Sequence, residues 1–436
     1  MKFHSLYAAL ILLSPLASST TLELKLDKTM PAIEKFYLDL HQSPELSYHE
    51  QETGKKLATK LRALGYEVSD NVGGFGVVGL YKNGDGPTIM IRTDTDGLPI
   101  IEQTGKSYAS TVTVINNEGA NVGVMHGCGH DIHMSSFIGT AQQLMLHKDA
   151  WQGTLMMVAQ PAEEVGGGAK AMLKEGLFSK YPTPDHVIAL HVSASVPAGQ
   201  VSMKNEYTMA SVDSVDITVK GKGGHGAYPH MTIDPVVIAS RIVLALQTIT
   251  SRELSPLEPS VITVGSIHGG AKHNVISNEV KLQLTLRSYN PKIREQQIAA
   301  IKRITKGIAL SAGLDESLIP AVYVHEDESI PSTYNDPAQT NIVRNAISSA
   351  IGQSNVLETE AVMAGEDFGL YGRTDKNIPI TLFWLGGVEQ AKYQAAQTSG
   401  ATLPSLHSSK FAPDYKVAIP TGITAMSNAA VALFNQ

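Results

Sequence analysis

Between residues 213 and 324 apolar and polar side chains repeatedly alternate one by one, and this pattern constrains the fold more than any other feature of the chain. In "VDITVKG" Val215, Ile217 and Val219 stand between polar neighbours, and in "KLQLTLR" Leu282, Leu284 and Leu286 do the same. A period of two puts the apolar side chains on one face of a strand and leaves the other face wet, the pattern of an antiparallel sheet. The predicted order is strand (about 213–220), helix (234–253), strand (260–267), strand (278–287), helix (291–312) and strand (about 319–324). That succession, β-α-β-β-α-β, predicts a ferredoxin-like unit. Asp234 and Pro235 in "TIDPVV" suit the N-cap and first turn of its first helix.

The flanking sequence has a different texture. "PTIMIRTDTDG", "GTLMMVAQPAEE", "DHVIALHVS" and "PITLFWLGG" carry continuous apolar runs, the mark of strands buried on both faces. Helical patterns at 51–64 and 131–147 lie among them. Strand and helix in alternation predict a mostly parallel sheet with helices on both faces, and chemistry beyond the C-terminal strand ends. The expected fold is therefore α/β: a larger, mostly parallel-sheet domain from 20–210 and 326–436, with a ferredoxin-like domain inserted at 211–325. A chain of 436 residues has ample material for two cores. Its net charge of −7, without long runs of one sign, gives no basis for binding nucleic acid or an anionic membrane surface.

The first residues, "MKFHSLYAALILLSPLASST", join one Lys to a short apolar run and then small residues. Residues 1–19 read as a signal peptide, with Ala17 and Ser19 at the positions that precede cleavage. The run is too short for a membrane span. The mature chain is expected outside the cytoplasm, periplasmic or secreted. No later segment is expected to approach transmembrane length, so membrane insertion is not expected. A lone cysteine in an exported protein has no internal disulfide partner and needs another explanation.

That cysteine, Cys128, lies in "MHGCGHDIHM", with three histidines and an aspartate within five residues. Its surroundings are compatible with a nucleophile, a redox thiol, a metal ligand or a buried apolar residue. Other candidate ligands stand in loops or at strand ends: His130, Glu163, Glu164, His191 and His407. Cys, His and carboxylate together suit Zn, Mn, Co or Ni. Glu163 and Glu164 are adjacent, and in an extended segment neighbours point to opposite sides. One can bind metal while the other accepts a proton. A cysteine hydrolase built on Cys128 and a histidine would leave Glu163, Glu164, His191 and His407 without a task. A non-catalytic binding protein would be expected to have lost the base or a ligand.

Eight motifs in order give these residues a common setting: "RTDTDGLPI" (92–100), "MHGCGHDIH" (125–133), "QPAEE" (160–164), His191, "GKGGHGAYPH" (221–230), "HNVISNEV" (273–280), "AGEDF" (364–368) and "LHSSKF" (406–411). With them the chain resembles the metal-dependent aminoacylase/carboxypeptidase family of amidohydrolases, in the branch of hippurate hydrolases and indole-acetyl-amino-acid hydrolases. The resemblance implies a catalytic domain carrying two divalent metal ions, and an inserted lid domain that also forms a homodimer. It implies that Cys128, His130, Glu164, His191 and His407 hold the metals and that Glu163 is the general base. It places His225 of the lid at the scissile carbonyl, Asn274 and Arg287 at the substrate carboxylate, and Asp96 behind the metal site. Gly127, Ser277 and Gly365 depart from the residues usual in the family and touch substrate fit rather than catalysis.

The implied reaction is hydrolysis of the amide bond of an N-acyl amino acid by a metal-activated water, with Mn or Zn as the expected ions and Co or Ni as alternatives. The alternative within the family is a metallo-dipeptidase or carboxypeptidase acting on small peptides. The expected partners are thus a small N-acyl amino acid or dipeptide and a second copy of the chain.

Overall fold

The computed structural model describes residues 21–116 and 119–436. The expected signal peptide, 1–19, lies outside the described residues. The larger sheet has eight strands: β1 (Glu67–Val72), β2 (Gly76–Asn83), β3 (Thr88–Asp94), β4 (Gly153–Gln160), β5 (His186–Pro197), β6 (Val201–Met203), β7 (Val356–Glu358) and β8 (Ile380–Val388). Their order across the sheet is β1-β2-β4-β3-β5-β8-β6-β7. The four central strands, β4-β3-β5-β8, are parallel. β1, β2 and β4 pair antiparallel on one side, and β6 runs antiparallel to β8 on the other. The hairpin of β1 and β2 is part of this sheet that the apolar runs did not announce, because Glu67–Val72 is largely exposed and polar.

The central strands feed two cores, one on each face. Ile89, Ile91, Leu155, Met157 and Ala159 pack on one side, and Met90, Met156 and Val158 on the other. Alternate side chains of a strand point to opposite faces, so continuous apolar runs are what this burial demands. Helices α1 (Leu26–Gln42), α2 (Gln51–Ala63), α3 (His130–Leu146), α4 (Pro337–Ile351) and α5 (Tyr415–Phe434) cover the first face. Short helices at Gly168–Glu175 and Leu177–Lys180, with a turn of 3₁₀ helix at Asp367–Arg373, cover the second. Among the described residues α5 is long and apolar enough to cross a bilayer, contrary to the expectation that no later segment approaches that length. Its apolar character serves a core: Ala418, Ile419, Ile423, Met426, Ala430 and Leu433 are buried against α3, α4 and the sheet.

The second sheet comes from residues 213–324 and is wholly antiparallel. Its strands are Asp213–Lys220, Ser260–Gly269, Glu279–Ser288 and Ala321–Val324. Helices Pro235–Thr248 and Pro291–Ser311 pack on one face, over a core of Val215, Ile217, Val219, Leu282, Leu284 and Leu286. Those are the residues of the sequence alternation. Asp234 caps the first helix by accepting a hydrogen bond from Val236 N at 2.9 Å. The helix ends at Thr248 and continues as a π turn, Ile249–Glu253. A small ribbon, Gly224–His225 paired with Val275–Ile276, projects from this unit.

Candidate functional site

Parallel pairing lines up the polar ends of the central strands. Asp94 pairs with Gln160, and His191 pairs with Trp384, at the same end of the sheet. Helix α3 starts above this edge with His130 as its first residue. Gly129, just before it, has φ +79°, and a Cβ there would meet Val192 Cγ1 at 2.5 Å. Glycine is therefore what lets Cys128 and His130 face the same space across one residue. A hydrogen bond from His407 N to Gly127 O, 2.9 Å, ties the loop of His407 to the loop of Cys128.

The ligand candidates converge. Cys128 Sγ lies 3.5 Å from His191 Nε2 and 3.3 Å from His407 Nε2. His407 Nε2 is 3.4 Å from a carboxylate oxygen of Glu164. His130 Nε2 stands 3.8 Å from Asp94, 3.9 Å from Glu163 and 3.8 Å from Glu164. Two groups able to hold an ion share the thiol: Cys128, His130 and His191, and Cys128, Glu164 and His407.

Two of the rings, His130 and His191, are oriented from behind. His130 Nδ1 donates to the carbonyl of Asp96 at 2.8 Å, and His191 Nδ1 donates to the carbonyl of Val192 at 2.8 Å. Both therefore turn Nε2 to the centre. His133 is different. Its Nδ1 is bonded to Asp94 at 2.6 Å and its Nε2 accepts from Val192 N at 2.7 Å, so neither nitrogen is free for a ligand role. Burial holds His133 at a pKa of about 4, in keeping with a neutral ring.

The electrostatics suit a cation. Burial and the nearby Glu164 and Glu163 push the Cys128 thiol well above its ordinary range. Burial, with Glu366 and Glu164, pushes Glu163 well up, and burial pushes Glu164 up to about 7. Burial opposes charge on His130, yet Asp94, Asp96 and Glu164 raise it to about 10. Beside burial, neighbouring carboxylates contribute to all four shifts, and divalent cations offset that concentration of negative charge. His130 Nε2 and Glu164 Oε1 are buried without a protein hydrogen-bond partner, and thiolate, imidazole and carboxylate form a donor set for borderline divalent metals. The residues fit such ions. The same shifts count against a cysteine nucleophile, because a thiol held protonated is a poor one.

The bracing is more extensive than the motifs disclosed. Arg92 is fully buried and bonds Asp94 at 2.7 Å, Glu366 at 2.9 Å, Asp367 at 3.0 Å and Gln160 Oε1 at 3.0 Å. It links the carboxylate behind His133 to those beside Glu163. Removing it would strand buried carboxylates, typically a loss of about 3–5 kcal/mol. Asp96 accepts from Ser47 Oγ at 2.7 Å and from Glu164 N at 3.0 Å. Glu50 accepts from Ala162 N at 2.6 Å. Ala162 has φ +51°, a conformation L residues seldom adopt, directly before Glu163. The segment Ser47–Glu50 thus holds the two glutamates in place. Arg92 lies in the motif "RTDTDGLPI", and a charged residue directly after the apolar run Ile89–Ile91 was the signal available; nothing in the sequence pointed to Glu50.

Cys128, Glu163, Glu164, His191, His407 and Arg287 line one chamber of about 710 Å³. Arg287 is half-buried, and its guanidinium has no hydrogen-bond or ion-pair partner among the described residues. Gly365 touches it: a Cβ there would meet Val212 Cγ2 at 2.1 Å and the Arg287 Nη1 at 3.3 Å. His225 and Asn274 do not line this chamber. They lie together on the exposed ribbon, where Gly226 N donates to Asn274 O at 2.8 Å.

A doubly covered α/β sheet with convergent Cys, His and Glu side chains at its C-terminal edge defines a metal-dependent hydrolase, and comparison with known proteins agrees. The sequence matches the family described as Peptidase family M20/M25/M40 over residues 90–405, and the chain belongs to that family. It is 37% identical over 384 residues to thermostable carboxypeptidase 1 of Saccharolobus solfataricus, covering 87% of this chain and 89% of that protein. It is 34% identical over 361 residues to the N-acetylcysteine deacetylase of Bacillus subtilis, covering 82% and 89%. Among solved structures it is similar to Bacillus subtilis YXEP, described as a dinuclear metal binding peptidase, with a TM-score of 0.75, 29% identity and coverage of 94% and 99%. The chain is an enzyme of the amidohydrolase and metallopeptidase class.

Proposed function

We propose that the enzyme hydrolyses the amide bond of N-acyl amino acids, hippurate-type or similar. Two divalent ions, Mn or Zn, would be held by Cys128, His130, Glu164, His191 and His407. The observation that carries this reading is the chamber itself: four ligand candidates, Cys128, Glu164, His191 and His407, line one space with Glu163 and an unpaired guanidinium, and the fifth, His130, groups with Cys128 and His191. When bound, the metal pair supplies Lewis acidity to the scissile carbonyl and to the attacking water.

The chain's own residues do the rest. Glu163, not needed as a ligand, takes a proton from the attacking water and delivers it to the nitrogen of the departing amine. A C–O bond forms and the C–N bond breaks, leaving a carboxylic acid and an amino acid. Such proton transfer contributes typically about 10²–10⁴ in rate. Asp96, Arg92 and Glu50 fix the positions of His130 and the two glutamates. Arg287 offers a planar fork to the substrate's carboxylate. His225 and Asn274, on the exposed ribbon, are assigned to the chamber of a second copy, where His225 would polarise the scissile carbonyl.

The similarity to a protein named carboxypeptidase supports a second reading, a metallo-dipeptidase or carboxypeptidase acting on small peptides. A hydrolysis panel separates the two. N-acetyl, N-benzoyl and indole-acetyl amino acids are run beside dipeptides, with each metal returned to stripped enzyme. Turnover of the N-acyl compounds above the dipeptides is expected; dipeptides alone as substrates would refute the proposal.

A further inference from the structure

We propose that a second cavity, beside the metal-ligand chamber and walled by the helix Gln390–Ser399 and the loop after it, is the subsite that takes the acyl half of the substrate. The inference rests on the amidohydrolase reading above and names where its selectivity resides. The cavity measures about 680 Å³ and shares Ala364, Trp384 and Leu406 with the ligand chamber. The two spaces thus adjoin at these three residues. Two of them belong to the site: Trp384 packs against His191, ring centroids 5.2 Å apart, and Leu406 precedes His407.

The linings differ in charge. No Asp, Glu, Lys, Arg or His lines the second cavity, whereas the first holds the unpaired Arg287. An N-acyl amino acid has one charged end and one uncharged end, with the scissile amide between them. The amide must lie at the ligand cluster. A carboxylate in the second cavity would find no cationic partner among the lining residues, whereas Arg287 offers one in the first. The carboxylate therefore goes to Arg287 and the acyl group to the uncharged cavity. A space of this size is far larger than an acetyl group needs and accommodates a ring or a branched chain.

The helix is built as a wall rather than as core. None of its residues is fully buried. Tyr393, Ala396 and Gln397, three and four residues apart, present one face to the cavity, and Leu403 adds to it from the loop. Substitution on this face changes the cavity with little demand on folding.

The test compares kcat/KM for N-acetyl and N-benzoyl derivatives of one amino acid in wild type, Ala396→Trp and Gln397→Glu. Ala396→Trp fills the cavity and Gln397→Glu puts a charge in it. Each is expected to lower kcat/KM for the N-benzoyl substrate by about 10-fold or more while N-acetyl turnover stays within about threefold. Equal losses on both substrates, no loss on either, or losses that follow the amino-acid side chain instead of the acyl group would overturn the subsite. A wild type that hydrolyses neither substrate would overturn the amidohydrolase reading itself, so the two failures are distinguishable.

Discussion

Arg287→Met removes the one unpaired arginine or lysine cation among the described residues of the ligand chamber while keeping an unbranched aliphatic stem. The guanidinium has no carboxylate partner of its own among the described residues, so its removal leaves no protein charge stranded. Burial already lowers its pKa below the ordinary arginine value, the mark of a cation partly removed from water. Its hydrogen bonds to a substrate carboxylate are therefore charge-assisted and poorly screened. Such bonds contribute about 1.5–3 kcal/mol, which corresponds to roughly 10- to 150-fold in kcat/KM. The assay measures kcat/KM for an N-acetyl amino acid and for the same compound with its carboxylate replaced by a carboxamide. Wild type is expected to prefer the acid by about that factor. Arg287→Met is expected to lose the preference by falling on the acid alone, with metal content unchanged. An equal fall on acid and carboxamide would refute the assignment, because a carboxylate anchor cannot act on a substrate that lacks one.

Glu163→Gln should lower kcat by about 10²–10⁴ while bound metal, measured by elemental analysis, stays at the wild-type level. Cys128→Ser should weaken metal affinity and activity together, by more than the roughly 10- to 100-fold typical of residues that only support ligands, with activity restored at high metal concentration. His41, whose partner Asp131 follows His130 in the chain, gives a stability prediction. Burial opposes its charge, but hydrogen bonds to Asp131 (2.6 Å) and Glu102 (3.3 Å) raise its pKa to about 10. Its folded pKa lies above the unfolded value of about 6.5, so the stabilisation is complete below that pH and is lost as pH rises through about 10. Thermal unfolding of wild type should fall over pH 7–10 more steeply than that of His41→Gln; parallel curves would contradict the ion-pair account.

The periodicity that predicted an antiparallel unit is realised residue for residue, since Val215, Ile217 and Val219 face the helices that cover that sheet. Its strands begin and end within two residues of expectation because Asp234, Asn290 and the flanking prolines punctuate the sequence. The apolar runs became the central parallel strands for an equally direct reason: burial on both faces leaves no place for polar alternation. The hairpin Glu67–Asn83 and the helix Gln390–Ser399 were less legible. The hairpin's outer strand, Glu67–Val72, and the helix lie at the rim with few or no fully buried residues, so hydrophobic patterning fades there. In the site, the residues with metal-binding chemistry were visible by type. Those that hold them, Arg92 through Asp94 and Glu366 and Glu50 through Ala162, were not, because their partners are distant in sequence. His225 and Asn274 sit together on a ribbon outside the chamber, and no single-chain spacing encodes which chamber a ribbon reaches.

The central claim is that this chamber hydrolyses amides only with divalent metal in it. Its most direct test is turnover of an N-acyl amino acid by enzyme stripped with a chelator, as Mn or Zn is titrated back. The account predicts that activity disappears on stripping and returns in proportion to bound metal, saturating at about two ions per chain. Turnover that survives complete removal of metal would contradict it.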